Sequence, residues 1–352
     1  MTVDAFHPYE KGEVVQILRS AARDHRRILV VGGRQHMDKG EPTEVDAELW
    51  TRQLDGLISY EPAEMVAVVG GGMRVGELQR ILAEGGQEWP VDAPAEATVG
   101  GVIAAGASSP RRMRVGTVRD TLLEVELVTG DGRLIKGGAR TVKQSTGYSL
   151  PRVATGSLGT LGVIVQVALK VRPLPKSRRT LVAGGDGFAL GSRFLDIVPL
   201  PAAVLATPSA VEVRLEGWPG EVQEQTQIAS SVADDVRVDE EAPFPSTSPW
   251  NGSPVIVEAA VPPSRIGDLV GAAGDAWGAL LGVGVVWAGL PDAGRALDVL
   301  RRKANELGGV APVIRGEGGL GYSLPAPEVH ARLRQAFDPA GILAPGRLGQ
   351  SR

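Results

Sequence analysis

Cysteine is missing from all 352 residues. Without a thiol there is no disulfide, no thiolate nucleophile and no cysteine ligand for zinc or an iron–sulfur cluster. Histidine is scarce: His7, His25, His36 and His330 make up the whole set, none at the spacing of a histidine-rich metal site. No metal site is therefore expected. No apolar run reaches the length of a transmembrane helix. The opening MTVDAFHPYEKGEVV lacks the basic start and apolar block of a secretory signal. The expected location is cytoplasmic. Charge has no dominant sign, with 37 Lys and Arg against 41 Asp and Glu, so a nucleic-acid-coating role has little support. Neither G-x-S-x-G nor a Walker A sequence occurs, and serine-hydrolase and P-loop readings fall away.

Glycine and proline, by contrast, are plentiful, at 47 and 25 residues. The length suits two domains with a sizeable core. Val14, Ile17, Leu18 and Ala21 share one helical face. RILVV (27–31) reads as a buried strand running into Gly32-Gly33, and MVAVV (65–69) as a second ending in Gly70-Gly71-Gly72. Val75, Leu78 and Leu82 line a helix that stops at Gly85-Gly86. LLEVELV (122–128) and RLIK (133–136) flank Gly130-Asp131-Gly132, a hairpin pattern. From Val163 to Val171 the odd positions are all apolar, which predicts a strand with one buried face.

Pro173 and Pro175 mark a linker. Beyond it, strands are expected at 180–183, 211–215, 254–260, 282–290 and 310–314, with helices near 221–233, 264–280 and 292–307. That rhythm predicts an antiparallel sheet with helices on one face. No internal repeat is visible in the sequence.

GEGGLG (316–321) spells a dinucleotide fingerprint after a candidate strand, but no helical pattern follows to receive a pyrophosphate, so it reads as a connection. Three other clusters carry more. They are Gly32-Gly33-Arg34-Gln35-His36, the small-residue run from Ala97 to Gly106, and Gly156-Ser157-Leu158-Gly159-Thr160-Leu161-Gly162. Backbone amides in such loops can converge on an anion. Each cluster alone is also what a tight turn looks like. Arg111, Arg112, Arg114, Arg119 and Asp120 form a charged stretch that reads as a solvated rim, unless one Arg contacts a cofactor or a partner.

In order, VVGGRQHM, PVDAPAEATVGGVIAAGASSPRRMRVGTVRD, KQSTGYSLPRVATGSLGTLGVIVQVALKVRPLP and FDPAGILAPGR resemble the vanillyl-alcohol-oxidase-type (PCMH-type) FAD-binding flavoproteins. Within them the sequence is similar to the E-subunit family of bacterial glycolate oxidases, essentially end to end. The resemblance implies an α+β architecture. Residues 1–172 would form a two-subdomain PCMH-type FAD-binding domain, 173–330 an α+β cap with an antiparallel sheet, and 331–352 a tail returning to the flavin domain.

It also implies site residues. The loop Val31, Gly32, Gly33, Arg34, Gln35, His36 and Met37 would wrap the FAD pyrophosphate. Pro94, Thr98, Gly100, Gly101 and Ala104 would press on the phosphates and the flavin. Ala107, Ser108, Gly116 and Val118 would continue that wall, Gly162 and Ile164 would meet the ribose and adenine, and Arg347 would contribute from the tail. His36 reads as solvent-facing or phosphate-contacting, so FAD is expected to be non-covalent. Lys143 and Tyr148 would orient a carboxylate or stabilise reduced flavin, unless they only clasp a loop.

The implied function is the FAD-binding subunit of a glycolate oxidase complex that oxidises glycolate or a related small 2-hydroxy acid. Its partners would be a D-type FAD subunit and an iron–sulfur subunit, with the membrane reached only through them. Two departures leave alternatives open. Ala344 stands where related tails carry Asn, and the histidine metal motif of the D subunit is missing. A stand-alone FAD-dependent dehydrogenase or oxidase, or a non-catalytic subunit with a degenerate flavin site, would fit those departures.

Overall fold

The computed structural model describes residues 3–107, 109–140, 149–240 and 242–349. The chain divides into two compact units: Met1–Ser109 with Thr117–Leu174 and Ser323–Arg352, and Pro110–Gly116 with Pro175–Tyr322.

In the first unit, β1 (Asp4–Phe6), α1 (Lys11–Arg23), β2 (Ile28–Val31) and β3 (Ala47–Trp50) come first. They give a parallel three-stranded sheet in the order β1-β3-β2. Then follow β4 (Leu57–Glu61), β5 (Val66–Gly70), α2 (Val75–Glu84), the short β6 (Gln87–Glu88) and α3 (Val99–Ala105). The small α4 (Arg112–Val115) belongs to the second unit. The first unit resumes with α5 (Val118–Thr121), β7 (Leu122–Val128), β8 (Leu134–Gly138), α6 (Leu150–Ala154), β9 (Val163–Lys170) and β10 (Arg172–Pro173). A five-stranded sheet runs β4-β5-β9-β7-β8, and β7 with β8 is the hairpin read from the sequence.

Strand β9 is central, and seven of its eight residues are buried, so the expectation of one buried face is corrected. The sheet is covered on both sides. Ile164, Val167 and Leu169 pack with Leu78, Leu82, Val102 and Ile103 of α2 and α3, while Val163 and Val165 pack with Val14, Leu18, Ile28 and Leu49. Odd residues therefore change sides. The pairing with β7 steps from Glu126↔Gln166 to Leu127↔Ile164 and skips Val165. One extra residue in a strand inverts its alternation, and a regular apolar pattern thus feeds two different cores.

The second unit contains β11 (Ser177–Gly184), α7 (Gly187–Ile197), β12 (Ala203–Ala206), β13 (Ala210–Gly217), α8 (Pro219–Ser230) and β14 (Val236–Asp239). After these come β15 (Val255–Ala260), α9 (Ile266–Val270), β16 (Trp277–Leu280), β17 (Val285–Leu290), α10 (Arg295–Glu306) and β18 (Val313–Arg315). An eight-stranded sheet has the order β14-β11-β13-β12-β16-β17-β15-β18, and its ladders are antiparallel. The order resolves into two βαββαβ halves joined through their second strands, so a structural repeat exists where the sequence shows none. Phe194, Val222, Leu269 and Leu300 of the four helices share one core with the sheet, which puts the helices on one face as expected. The opposite face carries Leu205, Ile256 and the stacked pair Trp250 and Trp287.

Three expectations change. The region 264–280 is not one helix: α9 ends at Val270, and 277–280 is the strand β16, completely buried beside β12 and β17. Helix α7 and strand β12 carried no recognised signal. Arg111 is not a solvated rim residue: it is buried, with Nη1 3.1 Å from Glu216 Oε2. Burial alone would raise the Glu216 carboxyl, but Arg111, Arg214 and Arg178 outweigh it and hold the group below the usual carboxylate range.

GEGGLG follows β18 as a loop with no helix. Arg301 Nη2 donates to the carbonyls of Gly318 and Gly319 at 2.7 and 2.8 Å. The final helix α11 (Pro327–Phe337) leads into a tail that lies in the first unit. Asp338 fixes the turn by accepting from Ile342 N and Leu343 N, and Leu343 then runs parallel to Ile28.

Candidate functional site

Strand β2 delivers its C-terminal end to a loop that turns at Gly32-Gly33. Beside it, β3 is followed by Thr51, whose N–H donates to Val31 O at 2.9 Å. From another direction comes α3, with Thr98 as its N-cap: Thr98 Oγ1 accepts from Gly101 N at 3.2 Å. The segment before β9 closes the far side, where Leu158 N donates to Ala104 O at 2.9 Å. Between these parts lies a partly open groove whose empty space, open solvent included, is about 660 Å³.

Two of its glycines are required for different reasons. A Cβ on Gly33 would collide with the Glu96 carbonyl oxygen and stand 2.9 Å from Ala97 Cα, because the two loops lie back to back. A Cβ on Gly101 would meet only Thr98 Oγ1, at 2.9 Å, and otherwise open space. The first glycine serves the fold; the second leaves room in the groove.

Among the described residues, the charged or titratable side chains lining the groove are Arg34, His36 and Arg347, with no carboxylate. Arg34, in the left-handed region at φ 58°, is held outside by an ion pair with Glu48 and by the Trp50 ring 4.8 Å away. Trp50 Nε1 in turn donates to Glu48 Oε2 at 2.9 Å. Arg347 is buried, and its Nη2 donates to Met37 O at 2.7 Å. Burial depresses its pKa, an effect that Asp38 partly offsets. The guanidinium still stays charged, so its desolvation cost is standing in the groove wall.

His36 behaves differently. Burial, with Lys39 nearby, lowers its pKa to about 4, so the imidazole is neutral at pH 7. Its Nε2 is closed off from solvent and has no hydrogen-bond partner among the described residues, while the residue as a whole is half-buried.

Of the residues named from the sequence, Gly32, Gly33, Arg34, Gln35, His36, Met37, Thr98, Gly100, Gly101, Ala104, Gly162, Ile164 and Arg347 line this groove. Others lie off it. Val31 is completely buried in β2, Pro94 is exposed, and Ala107 and Val118 pack into the core beside α2 and α3. Gly116 ends α4 in the second unit at φ 81°. Ser108, Lys143 and Tyr148 lie outside the described residues. Val30, Thr51, Ala97, Ala105, Leu158 and Gly159 also line the groove, though none of them was named as a site residue. Gly159, at φ 77°, was within a recognised cluster; Thr51 had no local signal, because parallel pairing of β2 with β3 brings it there.

Several features fit a dianionic dinucleotide: glycine backbone exposed to the groove, two arginines and no carboxylate in its lining among the described residues, and an orphaned buried imidazole nitrogen. Among the described residues no group of three or more His, Asp or Glu could hold a metal ion, and no helix is long and apolar enough to cross a membrane.

Residues 5–138 match the family model described as FAD binding domain. Over 95% of this chain and 96% of the relative, the sequence is 28% identical to glycolate oxidase subunit GlcE of Escherichia coli (strain K12). It is 35% identical to D-lactate dehydrogenase of Archaeoglobus fulgidus, but only across 47% of this chain and 38% of that protein. Among solved structures, an alkyldihydroxyacetonephosphate synthase superimposes with a TM-score of 0.74 over 97% of this chain and 75% of its own, at 17% identity. That degree of identity speaks to the fold.

Proposed function

The chain is an FAD-dependent oxidoreductase with the PCMH-type FAD-binding fold, and from that premise we propose that it is the E-type subunit of a glycolate oxidase complex. Its reaction is the oxidation of glycolate, or a related small 2-hydroxy acid, to the 2-oxo acid. A D-type flavin subunit and an iron–sulfur subunit complete the relay.

The observation that carries the cofactor assignment is the groove lined by basic side chains and no carboxylate. FAD, when bound, supplies a two-electron acceptor. This chain's residues hold it. Backbone N–H groups of the loop after β2 would serve the diphosphate, the bare Gly101 would leave space for the ligand, and the buried Arg347 would bring a cation. The near full-length similarity to a glycolate oxidase subunit supports the substrate class. The absence of cysteine means that any cysteine-ligated cluster sits in another chain.

Co-expression with its neighbours tests the reading. The expected product is a yellow-brown complex with a second flavin chain and a cluster-bearing chain that reduces an artificial acceptor when glycolate is added. A lone yellow chain that turns over glycolate at full rate would refute the subunit assignment.

A further inference from the structure

His36 is the one side chain of the groove lining, among the described residues, whose ordinary pKa lies near neutrality. A buried polar atom without a hydrogen bond costs about 1–3 kcal/mol unless something supplies the partner, and Nε2 of His36 is such an atom in a side chain that lines the groove. We infer that His36 takes up a proton when the diphosphate of FAD enters the groove, so that cofactor binding is linked to pH through this one side chain. The inference rests on the reading of the groove as an FAD site.

The surroundings explain the direction. Lys39, from the same loop, disfavours a charged imidazole. Arg347 comes in from the tail, its guanidinium on Met37 O, and Arg34 lies along the loop. The acids beside them among the described residues are Glu48, paired with Arg34, and Asp38, which acts on Arg347. Strands β2 and β9, helix α3 and the 158–162 segment bring no titratable side chain to the lining. Free protein therefore keeps His36 neutral, with its pKa depressed to about 4. Two phosphate charges beside the imidazole would reverse that balance, since an opposite charge within about 4–6 Å favours the charged form and shifts such a pKa by about 1–3 units. The diphosphate itself does not titrate near neutrality, so the proton goes to the imidazole.

Flavin-free full-length chain is titrated with FAD between pH 5 and 8, alongside His36→Gln, which keeps a donor but cannot titrate. A rise of about two units on binding makes FAD bind about 10-fold more tightly at pH 5 than at pH 8 through this residue. The unmodified chain is expected to show that increment over His36→Gln. Calorimetry in buffers of different ionisation heat should read about one proton taken up near pH 5, lost in the variant. Riboflavin, which has no phosphates, should show no difference between the two proteins. His36→Asn replaces the Gln variant if circular dichroism shows that the latter does not fold. Equal pH slopes in both proteins overturn the inference while leaving the FAD site standing, as does a His36-dependent slope with riboflavin. Failure to bind FAD at every pH overturns the FAD reading as well.

Discussion

Replacing Gly101 with valine separates the groove from the fold. The position is the third residue of α3, and its N–H already caps onto Thr98. Valine gains about 0.3–0.5 kcal/mol of helix propensity over glycine. Against this, the new Cβ presses on Thr98 Oγ1, and a weakened cap costs about 1 kcal/mol. The two effects leave stability within about 1 kcal/mol of the parent, a shift of a few degrees at most in Tm. The side chain meanwhile occupies space in the groove. Overpacking a fitted site costs about 1–3 kcal/mol, equivalent to about 5- to 150-fold weaker FAD binding. Gly33→Ala is the contrast, because its Cβ runs into the backbone of Glu96 and Ala97; it should unfold at markedly lower temperature. The assay is flavin-to-protein ratio after purification, fluorescence titration of the flavin-free chain, and thermal unfolding by circular dichroism. A Gly101→Val protein with full flavin and unchanged affinity would refute the placement of the cofactor. Loss of flavin together with the fold would refute the claim that this glycine serves the ligand alone.

Three further outcomes are expected. Without flavin, the folded-state pKa of His36 is depressed from 6.5 to about 4, so its share of stability is complete above pH 6.5 and is lost as pH falls toward 4. That loss is about 2 kcal/mol between pH 8 and pH 5, and flavin-free His36→Gln should lack it in denaturant melts; an identical acid limb in both proteins would contradict it. Arg347→Met removes the charged hydrogen bond to Met37 O, a loss of about 1.5–3 kcal/mol of stability, and takes a cation from the groove lining, so Tm should fall and FAD should bind more weakly in a fluorescence titration; unchanged affinity would count against a role for the tail. Ala344, buried at φ 40°, pays about 1–2 kcal/mol for a left-handed backbone, and Ala344→Gly recovers this less about 0.5–1 kcal/mol of chain entropy. The variant should melt slightly higher, and a lower Tm would show that the methyl's packing outweighs the strain.

Residues close in sequence announced themselves. Strands β2, β5 and β7 and helix α2 follow from apolar periodicity, and the glycine clusters mark three walls of the groove. The absence of cysteine bounds the cofactor chemistry without any structure, because composition alone decides it. What depends on distant segments did not show. The apolar alternation of β9 looks like one buried face, but a bulge at Val165 divides it between two cores. Thr51 reaches the groove through a neighbouring strand, and Arg347 arrives from 310 residues away to hold Met37. The paired βαββαβ halves have no counterpart in the sequence pattern, since many side chains can satisfy one sheet position. Local backbone preference was thus legible, whereas the neutral state of His36 was set by burial and by Lys39, quantities that exist only once the chain has closed around them.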